Sequence, residues 1–191
     1  MPKDIVDKAF EQSLELHQKI VDNEKFIESV HKASDAIIAA LRNGNKLLAA
    51  GNGGSAADAQ HFVAELVGRF VKERRGLPAI SLTTNNSTMT ALANDYSYDD
   101  VFAKQLNALG IEGDIFFGIT TGGKSPNIQK ALDAAKKKGI KTVGLLGKGG
   151  GLCAPLCDIA IIVPHDTTAR IQEVHILVIH AICAAIDEVF D

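Results

Sequence analysis

Cysteine is scarce in this chain, which has 191 residues and three cysteines, Cys153, Cys157 and Cys183. Three thiols do not make the paired framework of a small extracellular protein, and no charged-then-apolar N-terminal signal precedes them. Cys153 and Cys157 have metal-ligand chemistry, but no second Cys or His pair lies near them and Pro155 stands between them. Core or loop thiols are therefore favoured over a metal site. We expect a reduced, cytoplasmic protein.

Positive charge is also sparse: the formal net charge is −3 at pH 7, and lysine and arginine form no dense run. Binding to a nucleic-acid backbone requires such a cluster, so nucleic acid is not expected as a partner. Two short basic runs, residues 72–75 and 136–138, are predicted to be solvated helix ends. The length, with 46% apolar and 23% charged residues, is typical of one globular domain, which we predict over residues 1–191.

Residues 1–44 show helical periodicity, and the core from residue 45 to 191 alternates strand-length apolar runs with helical segments. Two N-terminal helices are predicted over Asp4–Val21 and Lys25–Leu41, with Asn23 as a cap between them. The predicted strands are Lys46–Ala50, Pro78–Leu82, Asp114–Ile119, Lys141–Leu146 and Ile159–Val163. Nearly continuous apolar strands separated by helices predict an α/β fold, with a central parallel sheet covered on both faces. Ligands of such folds bind beyond the carboxyl ends of the strands.

The last predicted helix, Thr167–Phe190, contains a stretch, residues 176–186, that is apolar nearly all round. Such a helix must be buried by packing partners on every side. It is too short, and too interrupted by His180, to predict a membrane span, so a membrane is not expected as a partner. Burial between subunits, around Ile179, is the favoured interpretation.

A glycine-rich turn, residues 51–55, follows the first predicted strand and precedes a predicted helix that Ser55 or Asp58 would cap. At about 100° per residue, His61 and Glu65 share one face of that helix. Two such side chains can ligate a metal, or one can move protons while the other holds an oxygen. A His-x-x-x-Glu pair alone is more typical of a solvated helix face. Its place directly behind the glycine turn favours a function.

Residues 51–56 also satisfy the dinucleotide fingerprint G-x-G-x-x-A after a strand. The strand that should end in a ribose-binding carboxylate is followed instead by residues 83–86, Thr-Thr-Asn-Asn, which include no acid. The sequence therefore argues against a nicotinamide cofactor.

Residues 118–125 match the nucleotide loop G-x-x-x-x-G-K-S between a strand and a helix. No later strand ends in the aspartate that would help hold magnesium, which argues against nucleoside triphosphates. Pro126 predicts that Ser125 is the helix cap and Pro126 the first helical residue. Backbone N–H groups, hydroxyls and the positive end of the helix favour a single bound phosphate. The groups are those of Thr120, Thr121, Gly122, Gly123 and Ser125. An ordinary glycine turn is the alternative.

Together these residues resemble the sugar isomerase (SIS) family, and within it the phosphoheptose isomerases, along nearly the whole chain. The resemblance rests on residues 50–61, Glu65, Arg69, 92–96, 120–127, 170–173 and His180. One segment departs from the family pattern. The phosphate loop commonly reads Ser-Thr-Ser-Gly-Asn-Ser, whereas Gly122 here removes a side-chain donor and Lys124 adds a charge.

The resemblance implies a flavodoxin-like three-layer fold and a homotetramer with active sites at subunit interfaces. It also implies one zinc ion per subunit, with the ligands His61, Glu65, Gln172 and His180. The implied substrate contacts are Asn52, Gly53, Gly54, Ser55, Glu65, Arg69, Asn94, Asp95, Thr120, Thr121, Gly122, Ser125 and Gln172. The implied reaction converts sedoheptulose 7-phosphate to D-glycero-D-manno-heptose 7-phosphate, the first step toward ADP- or GDP-heptose for lipopolysaccharide or capsule.

Ketose–aldose isomerisation moves a proton between neighbouring carbons and needs a base, an acid and a group that stabilises the enediolate. Glu65 is the candidate base, and His180 is the candidate that exchanges protons with the sugar oxygens. A zinc-bound carboxylate is a weaker base than a free one, so either Glu65 leaves the metal when substrate binds or the metal is chiefly structural. Gln172 and His180 lie eight residues apart. That is about 12 Å along a straight helix, so both reach one ion only by leaning together.

Two functions of other classes remain open. A non-catalytic SIS protein could bind a replication initiator, but such proteins tend to lack the acid–base pair, and Glu65 and His180 together favour the enzyme. A phosphosugar sensor would need a second domain to report on, and no linker or DNA-binding segment is visible.

Overall fold

The computed structural model describes residues 2–190, the side chain of Pro2 excepted; Met1 and Asp191, which the predicted domain includes, lie outside the described residues. The helices are α1 Pro2–Val21, α2 Glu24–Arg42, α3 Gly54–Val67, α4 Asn86–Asp95, α5 Val101–Leu109, α6 Pro126–Lys137 and α7 Thr168–Asp187. The strands are β1 Leu47–Gly51, β2 Ala79–Ser81, β3 Ile115–Thr120, β4 Lys141–Gly147 and β5 Ile159–Val163. Short 3-10 turns cover Tyr98–Asp100, Lys148–Gly150 and Ala154–Leu156.

The five strands form one parallel sheet in the order β2-β1-β3-β4-β5. This is the flavodoxin-like order, and it confirms the predicted fold class. Each predicted strand agrees with the observed one to within one residue at either end. The strand order reverses direction between β1 and β3, whose ends lie side by side because Gly51 is in register with Ile119. Open α/β sheets bind ligands in the crevice at this reversal.

Two apolar cores cover the two faces of the sheet. On one face, Phe62 of α3 and Ile37 of α2 pack with Phe117 of β3. On the other face, Phe102 of α5 and Ile128 of α6 pack with residues of the opposite pleat of the strands. Alternating strand residues thus enter different cores, because successive side chains point to opposite faces. The result is three layers, helices, sheet and helices, as expected.

The predicted N-terminal helices are present, and the Asn23 side chain caps α2 by accepting a 3.0 Å hydrogen bond from the Phe26 amide. The predicted cap of α3 is wrong. This helix begins at Gly54, with Gly53 at the cap position and no side-chain cap, so Ser55 and Asp58 lie inside it. Gly53 has a φ of +56°, which glycine adopts without strain.

The basic run at residues 72–75 is not a helix end, because α3 stops at Val67 and the run follows as an irregular segment. Arg74 is buried there, so the prediction of a solvated run is wrong for this residue. The second basic run does close a helix, since Lys136 and Lys137 form the last turn of α6.

Helix α7 is long and apolar enough to cross a membrane by length and composition alone, and it is the one such helix among the described residues. A core helix passes the same test. Its apolar residues are largely covered by the chain itself, and Ile179 is fully buried in the first core with Val174 and Ile182. The expectation that subunit contacts cover Ile179 is therefore wrong. Apolar side chains are exposed instead on α1, where Ile5, Phe10 and Leu14 face outward.

Candidate active site

Helices α3 and α7 bring together three of the side chains singled out in the sequence. His61 Nε2 lies 3.0 Å from His180 Nε2, although the two residues are 119 positions apart. His61 Nε2 also lies 3.1 Å from Glu65 Oε1, one helical turn away on α3. The shared face predicted for His61 and Glu65 is therefore present. All three side chains remain partly exposed, so the cluster is accessible to a ligand.

The three side chains fit a single metal ion. One ligand atom from each of His61, Glu65 and His180 lies within 4.8 Å of the other two. Ligand atoms around a tetrahedral zinc ion are about 3.3 Å apart, given bonds of about 2.0–2.1 Å, which is close to the two short distances above. Two imidazole nitrogens and a carboxylate oxygen form a donor set suited to Zn²⁺. The ring of Phe70, 5.5 Å from the His180 ring, shields one side of the cluster.

Gln172 lies on α7 two turns before His180, and its amide Nε2 donates a 3.2 Å hydrogen bond to Asp58 Oδ2 on α3. Burial raises the pKa of Asp58 above its ordinary value, against the lowering effects of the Gln172 hydrogen bond and of nearby His61. A Cβ at Gly54 would lie 2.3 Å from Gln172 Nε2, so only glycine permits this approach. The role of Gln172 as a fourth metal ligand stays a prediction.

The turn after β1 is held by an amide pair. Asn52 Nδ2 donates to Asn127 Oδ1 at 2.9 Å, and Asn127 Nδ2 donates back to Asn52 Oδ1 at 2.9 Å. The Tyr98 hydroxyl donates a further 3.1 Å hydrogen bond to Asn52 Oδ1. No feature of the sequence indicates a role for Tyr98 or the pairing of Asn127. The position of Asn127 in the first turn of a helix was predictable from Pro126, but its partner depends on the sheet order.

The predicted phosphate loop follows β3 and leads into α6. Ser125 is at the cap position and Pro126 is the first helical residue, as predicted, although the Ser125 hydroxyl contacts Thr120 Oγ1 at 3.0 Å rather than the helix backbone. Gly123 has a φ of +63°, and a Cβ there would lie 2.2 Å from the Gly150 carbonyl oxygen. The loop therefore packs tightly against the glycine-rich turn after β4, with its hydroxyls and helix N-terminus at the carboxyl edge of the sheet.

Three further predicted substrate contacts, Arg69, Asn94 and Asp95, lie on the surface. Arg69, just after α3, pairs with Glu73 at 3.5 Å. At the end of α4, Asn94 donates a 2.9 Å hydrogen bond to Asp95. These three residues stay predictions. Their side chains are exposed and thus available to a ligand.

His175, on the same helix as His180, points into the protein instead. It is fully buried, its Nε2 contacts the Leu146 carbonyl oxygen at 3.2 Å, and burial lowers its pKa to about 4. A neutral histidine that hydrogen-bonds the end of β4 has a structural role, which agrees with its omission from the site.

Known proteins are similar to this chain in sequence and in fold over nearly its whole length. Residues 10–147 match the SIS domain. The chain is 51% identical over 182 residues to the phosphoheptose isomerase of a Nitratiruptor species, covering 94% of this chain and 97% of that protein. It is 49% identical over 187 residues to phosphoheptose isomerase 1 of Campylobacter jejuni, covering 97% and 98%. The solved structure of phosphoheptose isomerase from Neisseria gonorrhoeae superposes with a TM-score of 0.93 at 42% identity, covering 99% of this chain and 100% of that one. The chain therefore belongs to the SIS-domain family, among its phosphoheptose isomerases.

Proposed function

We propose that this isomerase interconverts sedoheptulose 7-phosphate and D-glycero-D-manno-heptose 7-phosphate. The observation that supports the proposal best is the 3.0 Å approach of His180 to His61, with Glu65 beside them, at the same edge of the sheet as an anion loop. A base and an imidazole near a phosphate-binding loop suit proton transfer on a phosphorylated sugar. A non-catalytic SIS protein is not favoured, because both proton-transfer groups are present.

In the proposed reaction, Glu65 takes the proton from carbon 1 of the ketose, and the electron pair forms the enediolate double bond between carbons 1 and 2. Glu65 then returns a proton to carbon 2, which leaves the aldehyde at carbon 1. His180 moves a proton between the oxygens of carbons 1 and 2, so that atoms and charge balance over the cycle. Positioned acid–base groups contribute on the order of 10²–10⁴-fold each to such a rate.

We propose that His61, Glu65 and His180 hold zinc, with Gln172 as the fourth ligand. The donor set and its distances support this assignment. When bound, zinc supplies Lewis-acid polarisation of the carbonyl oxygen. Glu65 serves either as ligand and base in turn, or as base beside a structural metal. The two versions differ in one expected result, namely whether proton exchange at carbon 1 continues after the metal has been removed.

Substrate binding divides between the two loops in this proposal. The phosphate lies against the hydroxyls and backbone amides of the loop after β3, near the N-terminus of α6, which favours an anion. The sugar lies across the end of β1 toward the histidine pair. The proposed phosphate contacts are Thr120, Thr121, Gly122 and Ser125. The proposed sugar contacts are Asn52, Gly53, Gly54, Ser55, Glu65, Arg69, Asn94, Asp95 and Gln172.

We also propose that the chain acts as one domain in a homotetramer with active sites at subunit interfaces. Exposed apolar side chains on α1, such as Phe10, which is 75% exposed, support a subunit contact there. We place the enzyme in the cytoplasm, because its three cysteines are free, and in heptose synthesis for surface polysaccharide. Phe10→Glu should dissociate subunits, as measured by light scattering, and lower activity together. A monomeric variant with full activity would contradict the interface placement of the site.

A coupled assay with sedoheptulose 7-phosphate tests the function directly. The expected result is formation of an aldoheptose 7-phosphate, identified by NMR, with deuterium from D₂O incorporated at carbon 2. Failure to bind and turn over this sugar phosphate would reject the proposed substrate. A ketose phosphate of another length, assayed in parallel, measures how strictly the enzyme selects seven carbons.

A further inference from the structure

Three segments of the site meet at the side chain of Asn52. Asn52 follows β1, Asn127 is the second residue of α6, and Tyr98 lies on the 3-10 turn after α4. Their hydrogen bonds, two between the amides at 2.9 Å and one from the tyrosine at 3.1 Å, cross the crevice between β1 and β3. The network therefore links the sugar loop, the helix of the phosphate loop and the segment that carries Asn94 and Asp95.

These contacts leave the Asn52 side chain with an unused hydrogen-bond donor but no unused acceptor. An amide oxygen has two lone pairs, and an amide nitrogen has two hydrogens. Asn127 Nδ2 and the Tyr98 hydroxyl occupy both acceptor positions of Asn52 Oδ1. One hydrogen of Asn52 Nδ2 is donated to Asn127 Oδ1. The second hydrogen remains, so Asn52 can meet a ligand as a donor and not as an acceptor.

The burial of Asn127 suits orientation of a neighbour rather than direct contact with a ligand. Asn127 is 2% exposed and has no surface to offer a ligand, whereas Asn52 is half-buried at the site. A buried amide whose donor and acceptor are both used resists rotation, because a flip of one amide of the pair alone would oppose donor to donor and acceptor to acceptor. The orientation of Asn52 is thus determined by its neighbours before substrate binds.

We propose that Asn127 and Tyr98 are positioning residues that hold Asn52 as a hydrogen-bond donor to a sugar oxygen. Because Asn127 belongs to the first turn of α6, it also couples the phosphate loop to the sugar end of the site. Orientation prepared in advance reduces the entropy lost when the reacting carbons are aligned. The inference rests on the proposed function, since it assigns Asn52 to the sugar of that reaction.

A double-mutant cycle on kcat/KM for sedoheptulose 7-phosphate tests this inference. Tyr98→Phe removes one neutral hydrogen bond at a half-exposed ring, without a cavity, and should lower kcat/KM by about 2- to 12-fold. In an Asn52→Ala background the same change should have no further effect, because its influence passes through Asn52. Asn127→Ala should follow the same pattern with a larger loss. Tyr96→Phe is the matched control: its ring lies over the Lys104 ammonium at 3.7 Å, which the change preserves, and kcat/KM should be unchanged.

The inference is overturned if Tyr98→Phe has no effect in the wild-type background, or if it costs the same factor with and without Asn52. A purely structural role would instead lower the melting temperature equally in both backgrounds. Reading the cycle on the Kd for the same sugar phosphate by calorimetry separates this inference from the proposed function. Wild-type protein that binds without turnover rejects the reaction but still allows the cycle, and protein that does not bind rejects both.

Discussion

Two polar contacts between the α3 region and α7 differ in nearly every physical respect. Arg74 Nε lies 2.7 Å from Asp187 Oδ1, and both side chains are buried. The His61, Glu65 and His180 cluster, which joins α3 itself to α7, is partly exposed, with 44% of the His61 side chain open to solvent. We call the buried Arg74–Asp187 pair the closed contact and the partly exposed cluster of His61, Glu65 and His180 the open contact.

The buried pair is satisfied by its own chain. Asp187 Oδ2 accepts hydrogen bonds from the Val71 and Lys72 amides at 2.8 and 2.9 Å, and the Arg74 guanidinium donates to four backbone carbonyls. A charged group that is removed from water needs hydrogen-bond partners within the protein. Once all its donors or acceptors are used in this way, it has none available to bind a ligand. One of those carbonyls belongs to Glu65, at 2.8 Å from Arg74 Nη2. The closed contact thus supports the backbone of the open one.

The largest effect is expected from Glu65→Gln, which keeps the shape of the side chain and removes its basicity. Turnover and exchange of the carbon-bound hydrogen with solvent should fall on the order of 10²–10⁴-fold, while phosphate binding stays nearly intact. Steady-state kinetics and NMR in D₂O measure both. Glu28→Gln, on the surface of α2, is the control and should keep full turnover. Unchanged turnover in Glu65→Gln would remove this residue from the mechanism.

Asp187→Ala should cause the largest loss of stability, because it leaves the Arg74 charge buried without its partner. Losses for such changes are about 3–5 kcal/mol, measured as the free energy of unfolding in urea. The neighbouring Glu188→Ala removes an exposed pair with Lys72 and should cost about 0–1 kcal/mol. Similar losses in the two variants would show that the closed contact is no more stabilising than a surface pair.

Removal of metal should change the stability that the open contact contributes and leave that of the closed contact unchanged. With free zinc at about 100 times its Kd, the folded state should gain about 2.7 kcal/mol, which chelation abolishes and zinc add-back restores. His61→Ala should lose this response, whereas His31→Ala, which changes an exposed residue of α2, should retain it. Thermal unfolding and elemental analysis are the measurements. Untreated protein without metal would remove the support for the four-ligand assignment.

The smallest expected effect is the pH dependence of the closed contact. Burial alone would raise the pKa of Asp187, but hydrogen bonds from Lys72, Val71 and Arg74 outweigh it and hold the pKa below its ordinary value. A carboxylate with a lowered folded pKa contributes stability that is complete above the unfolded value of about 3.9 and is lost as pH falls through the folded value. Each unit of difference corresponds to about 1.4 kcal/mol. Urea unfolding from pH 6 down to pH 3 should show this loss in the wild type and a smaller one in Asp187→Asn. Parallel curves would contradict the assignment.

The open contact was more predictable from sequence than the closed one. His61 and Glu65 share a helix, so their spacing alone placed them on one face, and the parallel sheet followed from five apolar runs at strand length. The prediction of a solvated run is wrong for Arg74, because nothing in a local stretch indicates a partner such as Asp187, 113 residues away. The predictions of a Ser55 or Asp58 cap and of a subunit contact over Ile179 are wrong for the same reason: both depend on what packs alongside.

Sequence alone indicates the elements of this protein: which segments form strands, that Asn23 caps one helix and Pro126 begins another, and which residues resemble a sugar isomerase. Those features depend on contacts between near neighbours or on residue identity. Tertiary packing is needed to show that His180 meets His61, that Asn127 pairs with Asn52, and that Arg74 is buried against Asp187. Such contacts arise from the order of strands and the packing of helices, and the free energy that selects them is shared over the whole core rather than encoded at any one position.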